Sequence, residues 1–427
     1  MENQSQQPPL PANWAFRFFT IWSGQAVSLF GSSLVQFALI WYLTKETGSA
    51  TILATATLAA LLPQIVLGPF VGTLVDRWNR RIIMIVADSS IAVATLGLVW
   101  LFASGHIEVW HVFVAMAIRS LGGAFHHPAM TASTSLMVPE KHLARVAGAN
   151  QTLQGIINIS APPLGAVLLE TIFTQNVLLI DVFTAIVAVL PLFFIPIPQP
   201  QSQIEQANGQ REKTSYWQDL RAGFRYVRQW KGLFWLIILA MMLNFLLGPT
   251  SSLLPLVITK VFNGGALELG WVESTFGVGI ITAGILLSIW GGFKRRIITS
   301  FLGIVGIGAA IVAVGLVPSN MFKLLLVANF FVGFSQVFAN GPLHAIFQSS
   351  VAPEMQGRVF SLLGAGATAM MPIGLMIAGP LSDLVGIRFW FLFGGSACVL
   401  MAIAATFSSA IMNIETNNNE NAATATT

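Results

Sequence analysis

Twelve runs of apolar residues, each about as long as a bilayer's hydrocarbon core is thick, follow one another from residue 14 to residue 411. A helix needs about 20 apolar residues to cross that core. The runs are 14–43, 51–75, 82–103, 109–131, 146–171, 176–197, 232–258, 267–290, 297–317, 321–345, 357–383 and 388–411. The first and fifth overshoot one bilayer thickness, so they are expected to tilt or to run past the interface. Little chain is left over for a catalytic domain in water. Composition agrees: 9% of the 427 residues are charged and 55% are hydrophobic, where a soluble domain carries about 25% charged residues. A soluble enzyme, a nucleic-acid binder and a disordered scaffold are excluded on this ground. The net charge of +4 is no nucleic-acid footprint, because the bases sit in short loops between apolar runs. The lone cysteine, Cys398, cannot form an intrachain disulfide and reads as an inert packed thiol. Residues 1–13 are polar and lack Lys and Arg, so they do not read as a signal peptide and the first run is expected to be retained.

The placement of Lys and Arg fixes an expected orientation. Of the 21, sixteen fall in the loops and tails on one side, four (Lys45, Lys260, Lys323, Arg388) on the other, and Arg119 alone inside a run. The asymmetry predicts an even number of crossings with both termini cytoplasmic in a plasma membrane.

The sequence also repeats itself. Arg80-Arg81-Ile82-Ile83 recurs as Arg295-Arg296-Ile297-Ile298, and Thr44-Lys45 as Thr259-Lys260. Pro128 with Pro139-Glu140 recurs as Pro342 with Pro353-Glu354, and Arg145-Val146 as Arg358-Val359. Matches in register argue for a duplicated six-helix unit with both copies in the same orientation. The expected organisation is a tail over 1–13, a six-helix bundle over 14–197, a cytoplasmic linker over 198–231, a second bundle over 232–411, and a disordered tail over 412–427. In the linker, Gln199 to Lys213 is polar with prolines. Trp217, Leu220, Phe224, Val227 and Trp230 then recur at helical spacing, with Arg221, Arg225 and Arg228 on the opposite face. That pattern suits a helix lying on the lipid surface; a plain cytoplasmic linker helix is the alternative.

The loop between the second and third runs reads Gly72-Thr73-Leu74-Val75-Asp76-Arg77-Trp78-Asn79-Arg80-Arg81. Gly72 would allow close helix approach, and Asn79 the left-handed backbone of a tight turn. Arg77, Arg80 and Arg81 would pin the turn to the headgroups. A simple positive-inside turn explains the arginines but not Asp76, since an acid beside the membrane is costly unless paired or capping something. In the fourth run Arg119 precedes Gly122 and Gly123. The fifth contains Gly155, then Ala161-Pro162-Pro163-Leu164-Gly165-Ala166, where the prolines free backbone carbonyls and bend the helix.

With these motifs the chain resembles the major facilitator superfamily. The 72–81 segment matches its loop signature, with Asn79 in place of Gly. Arg119 matches its fourth-helix pattern, and 155–165 is a softened form of its antiporter signature. Thr20 to Leu29, Phe125 to Ala129 and Gly357 to Leu362 further resemble the macrolide-efflux group of the third drug:proton antiporter family. The resemblance implies an all-α integral membrane fold: twelve transmembrane helices in two parallel six-helix repeats around a central cavity. It implies export of bulky amphipathic compounds by alternating access in exchange for protons, without enzymatic chemistry. Asp76 would latch onto the N-terminus of the eleventh helix near Gly357 and Arg358, favouring an outward-open state. The matching loop 291–296 keeps its bases but lacks the acid, so the latch would be one-sided. Arg119 would relay protons, or serve as a structural arginine bonded to carbonyls.

The chain has no Gly-x-x-x-x-Gly-Lys-Ser/Thr phosphate loop, no His-Glu-x-x-His pair and no second cysteine. No ATP, metal or cofactor is therefore expected, and the drive should be an ion gradient or the membrane potential. Coupling needs a carboxyl that can ionise and neutralise inside the membrane. Asp88, Asp181 and Glu273 are the candidates, each expected away from any evident base. The first run carries Gln25 and Gln36 where many drug antiporters carry an acid. His126 and His127 read as bystanders. The superfamily's cavity-lining helices would present Trp22, Gln25, Gln36, Asn244, Phe245, Gln336 and Asn340 as substrate contacts. The expected partners are a small-molecule substrate, protons and membrane lipids, with no nucleic acid, for a monomer. Export of a metabolite or siderophore, or a non-transporting membrane protein on the same fold, are the alternatives.

Overall fold

The computed structural model describes residues 13–199, 216–351 and 353–415. Among these residues there is no strand. The helices are α1 (Trp14–Thr47), α2 (Ala50–Arg77), α3 (Arg80–Ser104), α4 (Val109–Met137), α5 (Glu140–Thr171), α6 (Thr174–Phe194), α7 (Tyr216–Gln229), α8 (Lys231–Phe262), α9 (Ala266–Trp290), α10 (Arg296–Leu316), α11 (Phe322–Ser350), α12 (Pro353–Val385), α13 (Ile387–Thr406) and α14 (Ser409–Met412). Apart from α7 and α14, each stands on one of the twelve apolar runs. Several outrun the run, as α5 does by six residues at its start, because the polar first turns lie beyond the hydrocarbon. Eleven are long and apolar enough to cross a membrane. The twelfth, α4, falls short in hydropathy, not length: Arg119, His111, His126 and His127 dilute it.

The ends follow local chemistry. Asn79 caps α3 in an extended conformation, φ −67°, its side chain accepting from Arg81 N and Ile82 N. The left-handed turn expected there is corrected: the side chain, not the backbone, does the capping. Gly48 does take the left-handed conformation, φ 57°, and lets α1 reverse into α2 within two residues. Ser49 then caps α2, its hydroxyl 3.3 Å from Ile52 N.

The chain forms two compact units. Unit 1 comprises the chain through Leu39 and from Ala59 to Gln210; unit 2 comprises Ile40–Leu58 and the chain from Arg211 onward. The boundaries fall inside α1 and α2, so the α1–α2 hairpin tip packs with unit 2. Phe18, Ile21, Val71, Val75, Met84 and Leu192 contribute to a core in unit 1 that gathers one end of its helices. In unit 2 small residues let helices close up: Gly308 and Gly395 face each other, where an added Cβ would stand 2.7 Å from the opposite carbonyl. In α7, Val227 is buried, as is Trp230 just after it, while Phe224, Arg221, Arg225 and Arg228 are exposed. Gly223 packs against Arg358 of α12. Part of the face expected on lipid is thus spent on protein. Trp217 and Leu220 have side chains outside the described residues, as does the linker over 200–215.

Candidate functional site

Three helices of unit 1 carry polar residues seven apart: Gln25 and Ser32 on α1, Asp88 and Thr95 on α3, Arg119 and His126 on α4. Seven residues are two helical turns, about 10.5 Å of rise, returning to nearly the same face. The packing stacks them in two layers. In the first, Gln25 Nε2 donates to Asp88 Oδ2 at 3.0 Å, and His126 Nε2 lies 3.5 Å from Asp88 Oδ1. All three side chains are buried. His126 Nε2 makes no hydrogen bond among the described residues, so this contact is a proximity of two protonatable groups.

In the second layer Arg119 forms a close ion pair with Asp181 of α6. Ser32 Oγ donates to Asp181 Oδ1 at 2.8 Å and Thr95 Oγ1 lies 3.0 Å from Oδ2. The guanidinium also donates to Thr95 Oγ1 at 2.7 Å and to Ser32 O at 3.2 Å. Asp181 is fully buried. A buried ion pair survives only if its remaining hydrogen-bonding capacity is met, and here two hydroxyls and a carbonyl meet it. The expectation that each acid stands away from a base is corrected: Asp181 has Arg119 and Asp88 has His126. His126, read from the sequence as a bystander, stands beside Asp88.

A cavity of about 260 Å³ within unit 1 touches both layers. Gln25, Ser32, Gln36, Asp88, Arg119 and His126 line it, with His127 beside them. The arrangement sets a buried ion pair and a carboxyl–imidazole pair beside a space that can hold water or part of a ligand.

The other candidates separate. Trp22 Nε1 donates to Asn150 Oδ1 at 2.6 Å, tying α1 to α5. In unit 2, Asn244 is spent on its own helix, donating to Ala240 O at 2.9 Å. Phe245 lies edge-on to Trp390 at 6.3 Å. Gln336 Oε1 is buried without a hydrogen bond among the described residues, and Asn340 is exposed. Glu273 is half-buried on α9, and none of the described hydrogen bonds or ion pairs reaches it. Of the antiporter motif, Gly165 receives Phe37 so closely that a Cβ would stand 2.9 Å from Cδ1, whereas Gly155 faces open space. Pro162 and Pro163 lie within the continuous α5.

The loop motif divides likewise. Gly72 has nothing within 4 Å of an added Cβ, so it mediates no close approach among the described residues. Arg80 donates to Ala132 O at 2.7 Å. Arg81 reaches Leu192 O through Nε and Phe193 O through Nη2 at 2.6 Å, satisfying the last carbonyls of α6. These two arginines thus spend donors on protein carbonyls; Arg77 is exposed. The side chains of Asp76 and Gly357 lie outside the described residues.

Ionisable groups buried inside a bundle of membrane-length helices and bordering a cavity mark a functional site within the membrane. A family model described as Major Facilitator Superfamily matches residues 21–263 and 247–424. The chain belongs to that superfamily. It is 36% identical over 403 residues to macrolide efflux protein A of Streptococcus pyogenes, covering 94% of this chain and 98% of that protein. It is 35% identical over 328 residues to macrolide efflux protein A of Enterococcus faecalis, covering 77% and 100%. A bacterial homologue of the human lysosomal transporter Spinster, solved inward-facing and unoccupied, shares its fold with a TM-score of 0.66 at 14% identity, over 96% of this chain and 98% of that one.

Proposed function

We propose that this protein is a secondary exporter of bulky amphipathic compounds of the macrolide kind, moving them out of the cytoplasm by alternating access in exchange for protons. The observation that carries the coupling is the buried Asp88–His126 pair, 3.5 Å apart, beside the cavity of unit 1. A carboxyl and an imidazole at that distance can hold one proton between them and release it when the cavity opens to a compartment of higher pH. The Arg119–Asp181 ion pair ties α4 to α6 beside the exchanging pair. The names of the relatives support the substrate class, and the lack of a phosphate loop supports a gradient as the energy source. On this reading the protein works as a monomer in the plasma membrane with both termini cytoplasmic, an orientation its charge asymmetry supports. Of the remaining acids, Glu273 is the reserve candidate for coupling.

Reconstituted vesicles carrying an imposed proton gradient test this reading. Adding a macrolide should dissipate the gradient, and Asp88→Asn should abolish that dissipation. Export that persists after complete collapse of both the pH gradient and the membrane potential overturns it.

A further inference from the structure

The exposed carboxylate of Asp383, two residues before the end of α12, sits on the N-terminus of α2. Its Oδ1 accepts from Ala50 N at 2.8 Å, and Oδ2 from Thr51 N at 2.9 Å, Thr51 Oγ1 at 2.7 Å and Ser49 Oγ at 2.8 Å. Two of these donors are unpaired amides of the first helical turn, where the helix dipole also favours an anion. Beside it Gly379 lets α12 close on the same turn: a Cβ there would stand 2.8 Å from Ala54 Cβ and 3.0 Å from Thr51 Cα. Gly379-Pro380-Leu381-Ser382-Asp383 has the pattern Gly-x-Leu-x-Asp, and so has Gly72-Thr73-Leu74-Val75-Asp76 at the other end of α2. The same five-residue pattern thus stands near the end of both α2 and α12. In α12 its acid demonstrably caps the helix that carries the other copy.

We propose that Asp383 is a gating residue: its carboxylate clamps the α1–α2 hairpin tip to α12 in one transport state and lets go in the other. Covalent continuity gives the clamp its leverage. Residues 40–58 pack with unit 2, yet they run without a break into the parts of α1 and α2 that belong to unit 1. While the clamp holds, those helices cannot move as whole rods. The turns at 48–49 and 386 lie on the side poor in Lys and Arg, so the clamp belongs to the outer face, the side opposite the loop of Asp76. The inference rests on the alternating-access reading above, but its test needs neither substrate nor protons.

Spin labels at Glu46→Cys and Leu384→Cys, both exposed positions flanking the clamp, report its state by pulsed dipolar spectroscopy. Cys398, fully buried, contributes no label. With Asp383 intact the short distance should dominate. Asp383→Asn should raise the ratio of long to short distances about tenfold, while Asp383→Glu should restore much of the short population. Should Asp383→Asn fail to fold, the pair Ser49→Ala and Thr51→Val removes the two hydroxyl donors, keeps the amide bonds and should give a smaller shift in the same direction. A merely structural cap would lower thermal stability and leave the distance distribution unchanged, and that outcome overturns the proposal. If the distances shift in a protein that exports nothing, the export reading falls and the clamp stands.

Discussion

Breaking the Arg119–Asp181 pair gives the sharpest test of the two-layer site. In Asp181→Asn the amide can still accept from Ser32 or Thr95, but the guanidinium loses its counter-charge in a place where the partners are 9% and 1% exposed. Stranding one member of a buried pair costs about 3–5 kcal/mol. The lower figure applies here, since Arg119 keeps Thr95 Oγ1 and Ser32 O as acceptors. Arg119→Met strands the carboxylate with its two hydroxyls and should cost about as much. The double variant removes both charges and leaves no orphan, so it should lose no more than either single change. The pairwise coupling is then about 3 kcal/mol, at the upper end of what neighbouring residues show. Titration of mixed micelles with sodium dodecyl sulfate, followed by tryptophan fluorescence, measures all four corners of the cycle. Additive losses would refute the reasoning, because they would mean that neither charge depends on the other in the folded protein.

The remaining predictions concern coupling and packing. Asp88→Asn keeps an acceptor for Gln25 and should fold normally, binding substrate while failing to move protons against it; stopped-flow pH-indicator traces report the loss. His126→Gln should slow exchange without shifting the melting temperature. Gly165→Val forces side-chain atoms into Phe37 and should cost about 1–3 kcal/mol of unit 1 stability, while Gly155→Ala, with open space around it, should be neutral or gain up to about 1 kcal/mol of helix propensity; thermal unfolding of the purified variants separates them. Arg81→Gln frees the carbonyls of Leu192 and Phe193 and should raise hydrogen exchange at the end of α6, readable by mass spectrometry.

The helices were legible because the hydrocarbon thickness is a single length that every run must meet, and because side-chain chemistry announces most ends. The site was half legible. Asp88, Asp181 and Arg119 stand out in any reading, as charges in apolar runs must. Their partners did not, because pairing depends on helix rotation and depth, which no single run contains. The seven-residue spacing shared by Gln25–Ser32, Asp88–Thr95 and Arg119–His126 was visible as a pattern in each helix. Only the packing shows that α4, running opposite to α1 and α3, matches His126 to Asp88 and Arg119 to Thr95. Gly72 and Arg81 show the opposite case: a familiar motif named their positions, while the surroundings leave Gly72 open and turn Arg81 onto the end of α6.

The separation of the two layers has a consequence for what the cavity can hold. Arg119 and Asp181 carry opposite charges in one layer, so the groups left to set the charge at the cavity wall are Asp88, His126 and His127. On the exchange proposed above, a cationic passenger would be favoured when these groups hold fewer protons and repelled when they hold more. The proposed exchange of drug for proton would then need only this change of charge, and passengers of quite different shape would obey the same rule.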